Sequence, residues 1–127
     1  MFIEQPPRIV RWLYPQAIWR MDPSVKAVYL TFDDGPIPEM TPWVLDVLDH
    51  YGIKATFFLV GDNVRKHPRE FAMIKERGHR LGNHTFNHLR GFEWLTKNYL
   101  ANADKANELI QTDLFRPPHG HMRWPQY

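Results

Sequence analysis

Two adjacent carboxylates, Asp33 and Asp34, lie in the segment Thr31–Pro36 (TFDDGP), directly after a run of apolar residues. Gly35 and Pro36 cannot extend a central strand, so the sequence predicts a turn directly after the two acids. Adjacent like charges repel each other unless a metal ion neutralises them or one of them stays protonated. An isolated Asp-Asp-Gly segment is more typical of an ordinary solvated turn, so the other polar segments must decide whether this one forms a site.

A second polar segment, His84–His88 (HTFNH), carries two imidazoles four residues apart. Residues at this spacing lie on one face of a helical turn, so both rings can reach one ion. One carboxylate with two imidazoles is a donor set typical of catalytic zinc, with coordination positions left open for water and substrate. The chain has seven histidines, and a pair at this spacing also arises among surface or capping residues.

The two aspartates cannot carry the same task at one metal ion. One would ligate the ion, and the other would stay unligated and accept the proton of the attacking water as a general base. The economical assignment makes Asp34 the ligand and Asp33 the base, and the residues alone leave the reverse assignment open.

A third segment, Arg116–Gly120 (RPPHG), also follows an apolar run. Its arginine is suited to an ion pair with the unligated aspartate, which would fix the orientation of that carboxylate. The rigid turn around Pro118 and His119 can direct a backbone N–H at a developing oxyanion. An exposed arginine in a loop that ends a strand is the alternative. His121 is a candidate cleft residue, and the remaining histidines are interpreted as surface residues, namely His50, His67 and His79.

Hydrophobic patterning predicts the elements that must position these segments. Short apolar runs predict strands at residues 27–32, 55–60 and 114–116, the first two buried on both faces. A shorter strand is predicted at residues 80–83. Amphipathic spacing with proline or glycine boundaries predicts helices at residues 41–51, 68–78 and 96–111. Alternating strands and helices are typical of a parallel sheet, in which all strand C-termini lie at one edge. The polar segments should therefore converge at that edge.

Length and composition narrow the class of protein. The chain has 127 residues, 43% hydrophobic and 24% charged, which suits one modest globular domain. We divide it into an N-terminal segment, residues 1–26, and a domain over residues 27–127. The net charge of +2 with scattered basic residues argues against a nucleic-acid partner. The absence of cysteine excludes thiolate metal sites. We expect no membrane span and see no signal peptide, so a cytoplasmic location is the default and the compartment stays open.

Together and in this order, the three segments resemble the first three motifs of the NodB-homology polysaccharide deacetylases, carbohydrate esterase family 4. The resemblance covers roughly residues 26 to 123. It implies an α/β fold of the distorted (β/α) barrel type and a divalent metal, most often zinc. It also implies hydrolysis of N-acetyl or O-acetyl groups on glycans such as chitin oligosaccharides and peptidoglycan.

The same resemblance implies roles for individual residues. Asp33 would be the catalytic base and Arg116 the residue that orients it. The metal ligands would be Asp34, His84 and His88. Pro118 and His119 would contribute the backbone donor for the oxyanion, although the family usually has tyrosine or phenylalanine at the position of His119.

The sequence departs from the family after Arg116. The family has two further motifs, one with Asp and Trp and one, Leu-x-His, whose histidine is the general acid, and neither follows. A barrel needs roughly 200 residues or more, so we expect an incomplete barrel. The favoured explanation is a fragment of a longer protein. A second chain that completes the barrel, with an oligomer as the consequence, and a short variant that binds metal or glycan without hydrolysis are the alternatives. An amidohydrolase acting on a non-sugar substrate is a further alternative.

Overall fold

The structure is a computed structural model that describes residues 7–127. Three strands form its sheet, namely β1 (Thr31–Asp33), β2 (Thr56–Leu59) and β3 (Arg80–Asn83). The described residues also form five α-helices, namely α1 (Arg8–Leu13), α2 (Met40–His50), α3 (Gly61–Lys66), α4 (Pro68–Glu76) and α5 (Thr96–Ile110). Single 3₁₀ turns follow at Gly91–Glu93, Pro118–Gly120 and Trp124–Gln126. No helix within the described residues has both the length and the apolar character that crossing a bilayer requires.

The sheet is parallel, with its strands in the order β1-β2-β3. A single parallel bridge between Asn83 and Phe115 adds the start of a fourth strand beside β3. In that bridge the Asn83 N–H donates to the Leu114 carbonyl at 2.8 Å, and the Arg116 N–H donates to the Asn83 carbonyl at 3.0 Å. The predicted parallel α/β arrangement is therefore confirmed, and the C-termini of β1, β3 and the fourth segment lie at one edge.

The hydrophobic core forms one cluster between the sheet and its helices. Leu45 from α2, Leu59 from β2 and Ile74 from α4 are fully buried at its centre. Gly61 makes close packing possible, because a Cβ at that position would lie 2.9 Å from the Ala106 Cβ. The helix α3 therefore packs directly on α5, and this contact brings the end of β2 close to the loop that follows β3.

The first strand differs from its prediction. The apolar run at residues 27–32 indicated a strand buried on both faces, but β1 spans only Thr31–Asp33 and is largely exposed. Val28 is 88% exposed and Tyr29 54% exposed. The physical reason is the position of β1 at the edge of the described sheet, where it pairs with β2 alone. The apolar run suits a strand buried on both faces, but in the described part of the chain β1 has only one neighbouring strand.

Several local predictions also need correction. Helix α2 begins at Met40, one residue before Thr41, and the Thr41 hydroxyl accepts the Ile37 N–H at 2.8 Å within its first turn. Helix α5 begins at the predicted Thr96 and ends at Ile110, one residue before the predicted end. The short helix α3 was not predicted, because its six polar-rich residues carry no apolar period.

His79 is a core residue and not the surface residue that the sequence indicated. It is 6% exposed, its Nδ1 accepts the Ala55 N–H at 3.2 Å, and its ring packs against Phe57. Burial lowers the pKa of His79 below the ordinary histidine value, because the charged ring would lose its hydration. The His79 imidazole therefore stays neutral at the base of the sheet, at the N-terminal end of β2.

Candidate metal centre and active site

Asp34, His84 and His88 converge at the C-terminal edge of the sheet. The Asp34 Oδ1 lies 3.0 Å from the His88 Nε2 and 3.5 Å from the His84 Nε2. One potential ligand atom from each residue lies within 4.8 Å of the other two. The three residues therefore present one carboxylate and two imidazole donors to a common point, which is a donor set suited to zinc.

The tautomer of His84 fits this arrangement. The ring is 3% exposed, and its Nδ1 lies 2.7 Å from the Arg116 carbonyl oxygen. A carbonyl only accepts, so Nδ1 must carry the proton and Nε2 keeps its lone pair. Burial lowers the pKa of His84, which favours the neutral ring that a metal requires. The buried imidazole thus presents the correct nitrogen toward Asp34.

The histidine loop is not the helical turn that the spacing indicated. Residues 84–90 contain no helix, and Thr85 and His88 have left-handed φ values of 63° and 55°. The Thr85 Oγ1 accepts the Leu89 N–H at 3.1 Å and so closes the loop over the two imidazoles. The two rings still meet, with their centroids 5.1 Å apart. The i, i+4 spacing is therefore realised by a tight irregular loop, and the conclusion that both rings reach one point stands.

Two asparagines hold this loop, and sequence reasoning assigned neither of them a role. The Asn83 Oδ1 accepts the Thr85 N–H at 2.8 Å, and the Asn83 amide donates to the Ala103 carbonyl in α5. The Asn102 Oδ1, also from α5, accepts the N–H groups of Phe86 and Asn87 at 2.9 Å each. The side-chain amides of Asn83 and Asn102 therefore connect α5 to the backbone of the histidine loop.

Asp33 is paired with Arg116, whereas Asp34 is the acid that lies within ion-pair distance of the two imidazoles. The Arg116 Nη1 donates to the Asp33 Oδ1 at 2.7 Å and to the Thr31 Oγ1 at 3.0 Å. The guanidinium carbon also lies 4.0 Å from the centroid of the Phe58 ring, which supports the arginine from below. The adjacent aspartates are thus separated by geometry, because one meets the histidines and the other meets the arginine.

The third segment forms a tight turn beside the group of Asp34, His84 and His88. Pro118 is buried, and His119 has a left-handed φ of 58°. The N–H groups of Gly120 and His121 donate to the carbonyls of Pro117 and Pro118 at 3.0 Å each. These two donors are committed to the turn, so the His119 N–H is the donor that this segment can offer to a ligand.

The side chains of the third segment also lie near the histidine loop. The His119 ring packs edge-on against His88 at a centroid distance of 4.8 Å. The His121 ring lies farther out, 6.0 Å from His119, and contacts Phe92. A cavity of about 260 Å³ opens next to the donors, and it is lined by Asp34, Val60, Asp62, Asn63, Asn87 and His88.

The sequence from residue 20 to residue 126 matches the family model described as polysaccharide deacetylase. The chain belongs to this family. It is 38% identical over 109 residues to a peptidoglycan-N-acetylglucosamine deacetylase from Bacillus cereus, covering 82% of this chain and 51% of the relative. It is 41% identical over 75 residues to a chitooligosaccharide deacetylase from Sinorhizobium fredii, covering 59% of this chain and 35% of the relative.

Solved structures of the polysaccharide deacetylase family share the fold. The peptidoglycan deacetylase PdaC from Bacillus subtilis superposes with a TM-score of 0.75 at 33% identity, covering 81% of this chain and 54% of that one. A family 4 carbohydrate esterase from Streptomyces lividans superposes with a TM-score of 0.74 at 27% identity, covering 78% and 54%. The predicted family and fold class are confirmed, and the described strands form part of the family's (β/α) barrel. The chain spans about half the length of the Bacillus relatives it matches.

Proposed function

We propose that this chain supplies the metal-binding and proton-accepting half of a polysaccharide deacetylase site, which hydrolyses acetyl groups on an N-acetylated or O-acetylated glycan. The observation that carries the proposal is the separation of the two adjacent aspartates. Asp34 faces His84 and His88, while Asp33 is paired with Arg116. A solvated turn with two equivalent acids would not need this division.

The ligands of a divalent ion would be Asp34, His84 and His88, and zinc is the ion that best suits two imidazoles with one carboxylate. When bound, such an ion polarises the acetyl carbonyl and makes a water molecule more acidic. The neutral His84 ring, held through its Nδ1–H by the Arg116 carbonyl, is already in the ligating form.

Asp33 would act as the general base. Its Oδ1 is occupied by Arg116 at 2.7 Å, which leaves Oδ2 to accept the proton of the attacking water. Arg116 holds the carboxylate in one orientation, so the base does not have to be ordered when the substrate arrives. The His119 N–H would donate to the oxyanion that develops on the acetyl carbonyl.

The leaving amine must also gain a proton, and no residue of the three segments has an evident place for that step. We therefore expect the 127-residue chain to bind metal with little or no turnover by itself. A non-catalytic metal-binding or glycan-binding module, and a subunit completed by a second chain, are the competing functions. The substrate class is proposed from the relatives, which are named as deacetylases of peptidoglycan and of chitooligosaccharide.

The test has two parts. The zinc-loaded chain is first assayed for acetate release from acetylated chitooligosaccharides, from peptidoglycan and from an acetyl-lysine peptide, with and without a chelator. Residues 20–126 are then placed in the B. subtilis relative instead of its matching region, which tests the same residues within a full-length domain. We expect the chimera to release acetate from glycans only.

In that chimera, Asp33→Asn should lower the rate by at least about 100-fold, the usual contribution of a general base. Asp104→Asn is the matched control, because Asp104 is an exposed aspartate of α5 outside the three segments, and it should leave the rate unchanged. Efficient hydrolysis by the isolated chain would contradict the expected lack of turnover. Release from the peptide alone would favour a non-sugar amidohydrolase, and an inactive chimera that binds glycan would favour a binding module.

A further inference from the structure

The backbone of Asp34 adopts a conformation that residues with a Cβ atom rarely hold. Its φ of 71° lies in the left-handed region, where the side chain crowds the backbone. This conformation directs the Asp34 carboxylate toward His84 and His88. A relaxed extended backbone would turn the carboxylate elsewhere, so the structure around Asp34 must hold this geometry.

Three hydrogen bonds hold the turn in which Asp34 lies. The Asp34 N–H donates to the Phe58 carbonyl at 3.1 Å, and the Val60 N–H donates to the Gly35 carbonyl at 3.1 Å. Both are backbone bonds that most sequences would allow. The third comes from a side chain, because the Asn63 Nδ2 donates to the Asp34 carbonyl at 2.7 Å. Asn63 is therefore the residue through which the sequence adds its own constraint on the Asp34 backbone.

Helix α3, which carries Asn63, is also bonded to the histidine loop. The N–H of Gly61 donates to the Thr85 carbonyl at 3.0 Å, and the N–H of Asp62 donates to the Phe86 carbonyl at 2.9 Å. One short helix thus contacts the carboxylate ligand on one side and the loop with the two imidazole ligands on the other. The neighbouring Asp62 carboxylate cannot donate to the Asp34 carbonyl, because an ionised carboxylate only accepts hydrogen bonds. It is instead paired with Arg65 and Lys66.

We propose that Asn63 is a positioning residue of the metal centre, which keeps the Asp34 backbone in its left-handed form and thereby sets the carboxylate against the two imidazoles. This inference rests on the metal site of the proposed function. It adds a residue that touches neither the ion nor the acetyl group and acts through Asp34. The side-chain amide of asparagine is suited to this task because it donates to a carbonyl without adding charge beside the donors.

The test is a calorimetric titration of the whole chain with zinc, performed for Asn63→Ala and for Asn63→Leu, which keeps the size of the side chain and removes the donor. We expect both variants to bind zinc about tenfold more weakly than the wild type, the lower range for lost support of a ligand. Asn98→Ala is the matched control, because Asn98 is an exposed asparagine of α5 and is not one of the two asparagines that hold the histidine loop. It should bind zinc like the wild type.

A merely structural role is distinguished by two further measurements. The midpoint of thermal unfolding of the metal-free chain should change little, and to a similar extent, in Asn63→Ala and in Asn98→Ala. In an Asp34→Asn background, adding Asn63→Ala should change zinc affinity by less than about twofold, because coupled residues do not add.

If the wild type binds zinc and both Asn63 variants bind it with the same affinity, this inference is overturned and the proposed function still stands. An additive effect in the Asp34→Asn background would overturn the claim that Asn63 acts through Asp34. Absence of zinc binding by the wild type would overturn the metal site and the inference with it.

Discussion

The two halves of the candidate site lie at the ends of strands that are packed differently. His84 follows β3, an interior strand between β2 and the bridge at Phe115, and the ring is 3% exposed. Asp33 ends β1, an edge strand of the described sheet, and its side chain is 39% exposed. The imidazole is oriented by backbone groups and a packed core, whereas the carboxylate depends on one exposed ion pair and a threonine hydroxyl.

Because of this difference, we expect the metal-binding residues and the base to respond differently to substitution. A group fixed by buried backbone contacts tolerates little substitution, because nothing replaces the lost contacts. A group fixed by an exposed ion pair depends on a weak interaction that water screens. We therefore expect the His84 ring to be ordered in this chain alone, and the Asp33 carboxylate to gain order when further elements cover β1.

The largest expected contrast is in stability. Leu59→Ala removes a fully buried side chain of β2 and should lower the free energy of unfolding by about 2–5 kcal/mol, because it leaves a cavity. Leu30→Ala, next to β1 at 38% exposure, should cost less than about 1 kcal/mol. Urea unfolding of both variants measures the contrast, and equal losses would show that the edge is as well packed as the interior.

Removal of the buried ligand should have the next largest effect. His84→Ala should weaken zinc binding by at least about 100-fold, because it deletes a donor and not only the support of one. His50→Ala, an exposed histidine on α2, is the matched control and should leave affinity unchanged. Calorimetry with a circular dichroism check of folding decides this, and a loss below tenfold would remove His84 from the ligand set.

Truncation of Arg116 should have a small effect on stability and metal. The side chain is 37% exposed, so Arg116→Ala should cost less than about 1 kcal/mol of unfolding free energy. Zinc affinity should stay within about threefold, because His84 is held by the backbone carbonyl of Arg116 and not by its guanidinium. A tenfold loss of zinc affinity in titration would show that the two halves of the site are not separable.

The smallest effect concerns the other buried histidine. Because the pKa of His79 is lowered in the folded chain, the unfolded chain binds more protons below about pH 6.5. Stability should therefore fall as the pH drops from about 6.5 toward the lowered pKa and level off below it. His84 contributes with the same sign, so the difference between the wild type and His79→Asn isolates His79. A difference that does not vary over this pH range would contradict the assignment.

Much of this fold could be predicted because its signals are local. Strand β3 lies at the predicted residues 80–83, and no boundary of α2, β2 or α5 differs from its prediction by more than one residue. The convergence of the polar segments follows from the parallel sheet, because all C-termini of its strands share one edge. The Asp34, His84 and His88 group therefore follows from motif order and topology together.

The features that were missed depend on tertiary contacts. Thr85 and His88 have left-handed φ values in a loop that hydrogen bonds to Asn83 and Asn102 hold, and no local sequence pattern predicts these angles. The exposure of Val28 depends on which element covers β1, and an apolar run carries no information about that. Asn63 was missed for the same reason. Its proposed positioning role can be inferred only from its hydrogen bond to the Asp34 carbonyl, which the sequence does not predict.

The most direct test of the division between the two adjacent aspartates is a zinc titration of Asp33→Asn beside Asp34→Asn. The substitutions are chemically identical and one residue apart, so each is the matched control of the other. We predict one zinc ion per wild-type chain, a loss of affinity of at least about 30-fold for Asp34→Asn, and a change below about threefold for Asp33→Asn. Equal losses, or the larger loss for Asp33→Asn, would contradict the assignment of Asp34 as the ligand and Asp33 as the base.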